Sequence, residues 1–387
     1  MALGWLVYRL TGSVSDLGLV LFAGNLPLLF LLFIGGIVAD RLDKRKILFV
    51  CNTVAMLQAL LLAYLVSTKQ ATLSSIIALS VILGCTIAFE VPARQSLVPT
   101  LITDKEALAN ALGLSSSSTH IARMIGPAVG GFLIANWGEE LCFAINAASF
   151  TAALVALLML RLPESHKQGA SLSTQACTRM SRWAACAGML WEILKRPGIY
   201  TLLFLAAFVT TFGLQYTVLM PVIVAQLLHG QAVAYGLLST AAGIGALAGS
   251  LTTAYIGHKR GRRLRIGFAA AALSGSLLLL AHSQELALSM VAVVVAGICL
   301  AMHWNGGNSL MQQCVEPHCR GKLMGIYTTF TLGLAPFTAL LAGWTAERFG
   351  ASLALLYSAL CLFVGALLYL LQVHKLEDTC AHTDTSQ

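Results

Sequence analysis

Arg123 stands in the stretch ARMIGPAVGGFL, residues 122–133, inside an apolar run from Leu112 to Ala135. A helix entering near Leu112 rises 1.5 Å per residue, which puts Arg123 about 17 Å along it. That is close to the midplane of a bilayer whose hydrocarbon core is about 30 Å thick. A charge at that depth costs about 2.5–3.5 kcal/mol on insertion scales and normally faces a cavity or a partner. Such a guanidinium suits contact with an anionic group or the sensing of a protonation event. The plainer alternative is a structural arginine bonded to carbonyls freed near Pro127. Uncharged polar residues recur in other apolar runs: Asn25 beside Pro27, Gln215 and Tyr216 in TFGLQYTVLMP, and His303, Trp304, Asn305 and Asn308 in MHWNGGNSLMQQ. Trp304 and Asn308 are four apart and share a helix face. Asn25, Gln215, Tyr216, Trp304 and Asn308 therefore join Arg123 as candidate substrate contacts. Each could instead be a lone polar group satisfied by a neighbouring helix.

The elements that must position these residues are membrane helices. The 387-residue chain is 58% hydrophobic and 10% charged, with mean hydropathy +0.81. A soluble domain carries about 25% charged residues. Apolar runs long enough to cross a bilayer are expected at 17–38, 47–66, 73–89, 112–135, 141–160, 200–225, 235–257, 266–282, 287–304, 325–344 and 351–372. The segment Ala2 to Leu10 is apolar but too short to cross as a helix. No run holds a central Asp or Glu; Asp16 and Glu90 sit at ends. Ten cysteines show no CxxC pair and no metal-ligand spacing. There is no Walker loop and no nucleophile–base constellation, so neither an enzyme nor a bound cofactor is expected. The formal net charge of +8 sits between apolar runs and so reads as membrane topology rather than nucleic-acid binding.

Of the 24 Lys and Arg residues, 20 fall in one alternating set of segments: DRLDKRK, 90–106, 161–196, HKRGRRLR, PHCRGK and the C-terminal tail. Positive charge stays in the cytoplasm, so these loops and the C-terminus are expected there. The first full run must then pass from outside to inside, which points to a first helix that is truncated or lies upstream of Met1. Two halves are visible. GPAVGGFLIANWGEELCFAINAASF from Gly126 echoes APFTALLAGWTAERFGASLALLYSAL from Ala335, and DRLDKRK from Asp40 echoes GHKRGRR from Gly257. A half-length repeat marks a duplicated transporter. The expected division is a bundle over 1–160, a cytoplasmic linker over 161–198, a second bundle over 199–375 and a tail over 376–387.

GGIVADRLDKRK closes the first full run. Gly36 would allow close helix approach, Asp40 and Arg41 end the helix, and Lys44 and Arg45 follow. The pattern G-x-x-x-D-R-x-x-[KR]-R-[KR] resembles the loop signature of the major facilitator superfamily. PARQSLVP and AR-x-x-GPA-x-GG resemble its transmembrane secretion-effector branch, over essentially the whole chain. Gly113, Gly126, Pro127, Gly130 and Gly131 match the superfamily's fifth-helix pattern, with Ala122 in place of one glycine. Gly126 and Gly130 share a face and would admit another backbone, while Pro127 bends the helix.

The resemblance implies an all-α integral membrane protein of the major facilitator fold, with two six-helix halves related by a pseudo-two-fold axis and about 11 full spans. It implies a gating cluster of Gly36, Asp40, Arg41, Lys44, Arg45 and Glu90, with Glu90 either an acidic partner for Arg45 or simply solvated. The fifth-helix pattern implies export rather than uptake. The function so implied is secondary active efflux of small amphipathic molecules of drug or siderophore class, by alternating access. Its partners would be the substrate, a proton gradient and the bilayer, and the protein would be a monomer. The alternatives are a lysophospholipid-type transporter, or a non-transporting receptor or degenerate fragment.

Overall fold

The computed structural model describes residues 1–101, 105–160, 197–256, 261–313, 323, 327–331 and 333–372; for some of these, residues 40, 41, 113 and 123 among them, only the backbone is described. Its described residues are helical, with no strand among them. In chain order the helices are α1 (Ala2–Thr11), α2 (Val14–Arg41), α3 (Lys44–Ser67), α4 (Leu73–Leu101), α5 (Lys105–Trp137) and α6 (Glu139–Met159). Then come α7 (Pro197–Phe208), a π-helical turn over Val209–Gly213, α8 (Gln215–Gln226), α9 (Ala232–Ile256), α10 (Arg262–His282), α11 (Leu286–Gln313) and α12 (Ala335–Gln372). An all-helical answer follows from the solvent: hydrocarbon offers no partner to a backbone N–H or C=O, so each span must satisfy its own.

Nine stretches among the described residues are long and apolar enough to cross a membrane. The eleven expected spans relate to these nine in two ways. Tyr327–Gln372 joins two expected spans in one run. It cannot be one crossing: the 38 residues of α12 alone would reach about 57 Å. Gly350, at φ 82° and ψ 159°, breaks it. The span expected at 112–135 lies within α5, where the described apolar part is the shorter Met124–Trp137. The short helix α1 ends on Gly12 in left-handed conformation, and Ser13 then caps α2 by accepting a hydrogen bond from the Asp16 N–H at 3.2 Å. This turn lays α1 back against α2.

The chain divides into two compact units. One holds Met1–Gln175 with Gln231–Gly236; the other holds Ala176–Gly230 with Leu237–Gln387. The expected linker 161–198, apart from its last two residues, and the tail 376–387 lie outside the described residues.

Within the first unit α2 packs on α4, and α3 packs on α6 and α4. The α2–α4 contact is backbone on backbone. A methyl group added at Gly84 would overlap the Gly24 carbonyl, and one added at Gly35 would overlap the Ala88 carbonyl. The second unit repeats the device between α9 and α11. There Gly245 meets the Val294 carbonyl, Gly249 meets that of Ile298, and Gly297 meets that of Ala242. Small residues are how helices come this close in lipid. Gly36, expected to serve close approach, has open space where its Cβ would be. The adjacent Gly35 does that work, because a one-residue step turns the helix surface by 100°.

Gly84→Ala and Gly245→Ala should each destabilise the detergent-solubilised protein by about 1–3 kcal/mol, since a backbone has to move. Gly36→Ala should leave the melting temperature unchanged or raise it, because alanine is the better helix former. Thermal unfolding followed by size-exclusion chromatography checks the contrast.

Candidate functional site

The first unit brings the loop residues of the signature together in part. Asp43 caps α3 by accepting from the Arg45 N–H at 2.9 Å, so α2 and α3 are joined by Leu42 and Asp43 alone. The Arg45 side chain donates from Nη2 to the Leu158 carbonyl at 2.7 Å. That carbonyl lies in the last turn of α6, where free carbonyls and the helix dipole favour a cation. Glu90, expected to pair with Arg45, lies 3.6 Å from Arg94 on its own helix. An i,i+4 neighbour is always within reach, and the α6 terminus offers Arg45 an acceptor that the sequence does not reveal. Below the loop, Ala39, Leu48, Ala93 and Leu97 form a buried apolar knot, against which Leu157 and Leu160 pack. Lys44 is half-buried. The side chains of Asp40 and Arg41 lie outside the description.

The glycine–proline stretch of α5 comes closest to another backbone at Gly131. A Cβ at Gly131 would lie 2.8 Å from the Ala232 carbonyl oxygen and 2.8 Å from Gly236 Cα. Reciprocally, a Cβ at Gly236 would lie 2.8 Å from the Pro127 carbonyl oxygen. The approaching face is therefore Pro127–Gly131. The expected face, Gly126–Gly130, is open at Gly126 and meets only the end of the Met1 side chain at Gly130. Both pairs have the same spacing of four; the rotation of α5 about its axis chooses between them. Tyr235, beside Gly236, stacks on Trp5 of α1 with ring centroids 6.0 Å apart. Only the backbone of Gly113 and Arg123 is described, so the placement of Arg123 rests on its position in α5.

One buried charge escaped the sequence reading. Glu139, at the first position of α6, is 1% exposed, and its Oε2 lies 2.9 Å from Nη2 of the half-exposed Arg9. The contact is close but not aligned as a hydrogen bond, for neither carboxylate oxygen has a hydrogen-bond partner. A carboxylate at a helix N-terminus and an arginine near the end of α1 each suit the local helix dipole. The acidic pair after Gly138 in WGEEL was the available signal.

Polar candidates elsewhere separate by partner. Asn25 is half-buried and donates to the Leu21 carbonyl of its own helix at 2.8 Å. In the second unit Gln215 is fully buried; its Nε2 donates to the Thr211 carbonyl at 3.2 Å, and its Oε1 accepts from Ser358 at 2.6 Å. Tyr216 beside it is also buried. The π turn just before them is tied by Thr210, which donates to the Thr331 carbonyl at 3.3 Å and whose own carbonyl accepts from Thr338 at 3.0 Å. Gln215 and Tyr216 thus sit in a closed, bonded core. On α11, Asn308 is exposed and Trp304 half-buried, and Asn305 donates to Ser250 of α9 at 3.1 Å. His303, absent from the candidate contacts, is 0% exposed, and neither ring nitrogen makes a hydrogen bond. A cavity of about 30 Å³ opens nearby, lined by Thr253, Arg262, Arg265, Ile266, Met302 and Gly306 among others.

Comparison with known proteins places this architecture. A model of the transmembrane secretion effector family matches residues 1–386. The multidrug efflux pump Tap of Mycolicibacterium fortuitum is 24% identical over 356 residues, covering 90% of this chain and 85% of Tap. The staphyloferrin A transporter of Staphylococcus aureus is 25% identical over 355 residues, with coverage of 90% and 85%. Macrolide efflux protein A of Streptococcus pyogenes is 21% identical over 352 residues, with 90% and 85% covered. Among solved structures, the nucleoside transporter NupG superposes with a TM-score of 0.72 at 16% identity, covering 95% of this chain and 93% of its own. An inward-facing bacterial homologue of the human lysosomal transporter Spinster gives 0.71 at 16%, with 98% and 93% covered. These superpositions show the fold.

Ser358→Ala should cost about 1–3 kcal/mol, because it leaves the buried Gln215 Oε1 unmet. Gln215→Leu added to it should recover part of that loss. A melting temperature untouched by Ser358→Ala, with altered transport affinity, would instead make Gln215 a substrate contact.

Proposed function

Starting from the membership of this chain in the transmembrane secretion effector family of the major facilitator superfamily, we propose that it exports a small amphipathic organic molecule across the bacterial inner membrane. Transport is secondary active, runs by alternating access and draws on the proton gradient. The observation that carries export is the Pro127–Gly131 face of α5 seated on the backbone of Ala232 and Gly236. Proline removes one backbone hydrogen bond and bends the helix, and glycine leaves a smooth surface, so the contact can hold in one state and part in another. Relatives similar along 90% of this chain include two efflux proteins and the staphyloferrin A transporter. Drug-class and siderophore-class molecules are accordingly the substrates to test.

The basic loops and the C-terminus face the cytoplasm in this reading, by the charge asymmetry of the loops. Arg45 on the α6 terminus holds the α2–α3 turn in place. Arg123 serves as the charge in the path, by its depth in α5. The protein works as a monomer of two bundles joined through 161–198.

Bacterial cells stripped of their own pumps, loaded with erythromycin, ethidium or staphyloferrin A, test the reading. Cells expressing the protein should accumulate less of at least one compound, and a protonophore should abolish the difference. Equal accumulation of all three would sink export of these classes. Efflux that survives collapse of the gradient would sink proton coupling alone. Arg123→Ala should lose transport with normal expression, and Arg123→Lys should recover it in part if charge is what matters. Full transport in both variants removes Arg123 from the path.

A further inference from the structure

Two features of the second unit meet at one helix face. His303 lies at the eighteenth position of the 28-residue α11, about 5 Å from the helix centre. It is 0% exposed, and among the described residues neither ring nitrogen has a partner at full hydrogen-bond geometry, the nearest approach being that of the Ile266 backbone. One turn further on the same face is Gly307, where an added Cβ would stand 2.6 Å from the Tyr327 hydroxyl. Tyr327 is 4% exposed, and its hydroxyl is also without a partner. Buried polar groups are nearly always bonded, since leaving one unmet costs about 1–3 kcal/mol. Here three unmet polar atoms, Nδ1 and Nε2 of His303 and Oη of Tyr327, lie along one helix face at the depth where transporters hold their coupling ions.

The surroundings define what the imidazole meets. α10 presents Arg262, whose Nη1 donates to Ser309 of α11 at 3.1 Å, and Arg265, which lines the small cavity with Gly306. α8 presents Tyr216, near Cys299, one turn before His303. Tyr200 of α7 and Tyr255 of α9 are exposed. None of α7 to α11, nor the helical turn 327–331, contains an Asp or Glu. Among the described residues of these helices an imidazolium buried here would meet no carboxylate, and burying an unpaired charge is costly. Proton binding and closure over this histidine therefore oppose each other. Histidine is also the side chain whose ordinary protonation range spans neutral pH.

We propose that His303 is the protonatable group that couples this transporter to the proton gradient, with Tyr327 as its positioning hydroxyl. The assignment rests on the proton-driven reading above. A ring nitrogen takes one proton from water on the outer side when the unit is open there. It gives the proton to water on the inner side, and the buried, unpartnered state lies between. No bond other than N–H forms or breaks.

The experiment uses purified protein in liposomes and whichever of radiolabelled erythromycin, ethidium or staphyloferrin A the wild type moves in cells. Two rates are read: accumulation under an imposed pH gradient, and exchange of labelled for unlabelled probe without one. His303→Gln should lose gradient-driven accumulation entirely and keep exchange at the wild-type rate. Tyr327→Phe should shift the pH profile of accumulation and also keep exchange. Gradient-driven accumulation in His303→Gln at the wild-type level overturns the assignment. So does joint loss of both rates, or failure of both variants to fold, either of which marks the pair as packing. A wild type that exchanges probe but ignores the gradient refutes proton coupling itself, whatever the variants do.

Discussion

Lipid tails are as apolar as leucine, so nothing in the membrane interior squeezes one helix onto another as water does. Close packing must come from shape and from a few polar links, and the structure depends on that constraint throughout. In the first unit the α2–α4 crossing is made by Gly35 and Gly84 against the carbonyls of Ala88 and Gly24. In the second, Gly245, Gly249 and Gly297 do the same for α9 and α11. A backbone seated on a backbone has no rotamer to adjust, so each contact fixes the distance and rotation of two spans at once. The polar candidates take their places from those rotations.

Polar side chains divide according to whether they link spans or only satisfy themselves. Asn25, Asn52 and Asn136 each donate to the carbonyl four residues back on their own helix, which ties nothing to anything else. Several links between spans sit where the backbone is irregular. The π turn Val209–Gly213 is held to the chain at 331–338 by Thr210 and Thr338, and the following turn by Gln215 and Ser358. Tyr369 donates to the Arg263 carbonyl at 3.3 Å, and Ser352 to the Ala281 carbonyl at 2.7 Å, so α12 is tied to both ends of α10. Irregular backbone in a membrane survives only where protein satisfies it, and here hydroxyl groups do so.

The sequence made the helical class plain, because apolar runs and loop charge are one-dimensional signals. It also located the right small residues to within a step, and there it stopped. Gly35 rather than Gly36 meets α4, and Pro127–Gly131 rather than Gly126–Gly130 meets Gly236. Doublets such as GG and GP put small residues on two faces, and only the partner helix selects one. Arg45 could not be read for a related reason: its acceptor is a backbone carbonyl 113 residues away, and every residue has a carbonyl. Glu139 hid at a helix end, where an acidic residue ordinarily reads as a solvated first-turn charge. Gln215 reads as a site because it is polar in an apolar run, and its bonds to Thr211 and Ser358 are a feature that the run does not reveal.

That last comparison separates the meaning of a polar group in a membrane from its mere presence. Gln215 and His303 are equally buried, at 0% exposure. The amide of Gln215 is bonded at both its oxygen and its nitrogen, so its burial is compatible with a single resting arrangement. Among the described residues neither ring nitrogen of His303 has a partner at full hydrogen-bond geometry, so this arrangement leaves a polar group incompletely met. A transporter must pass through at least two arrangements, and a group unmet in one is free to be met in another. Residues complete in the closed core resist change, while residues left incomplete favour it. Within the second unit, then, the turn at 209–215 is the fully bonded element, and the face of α11 bearing His303 and Gly307 is where a change of state would find something to gain.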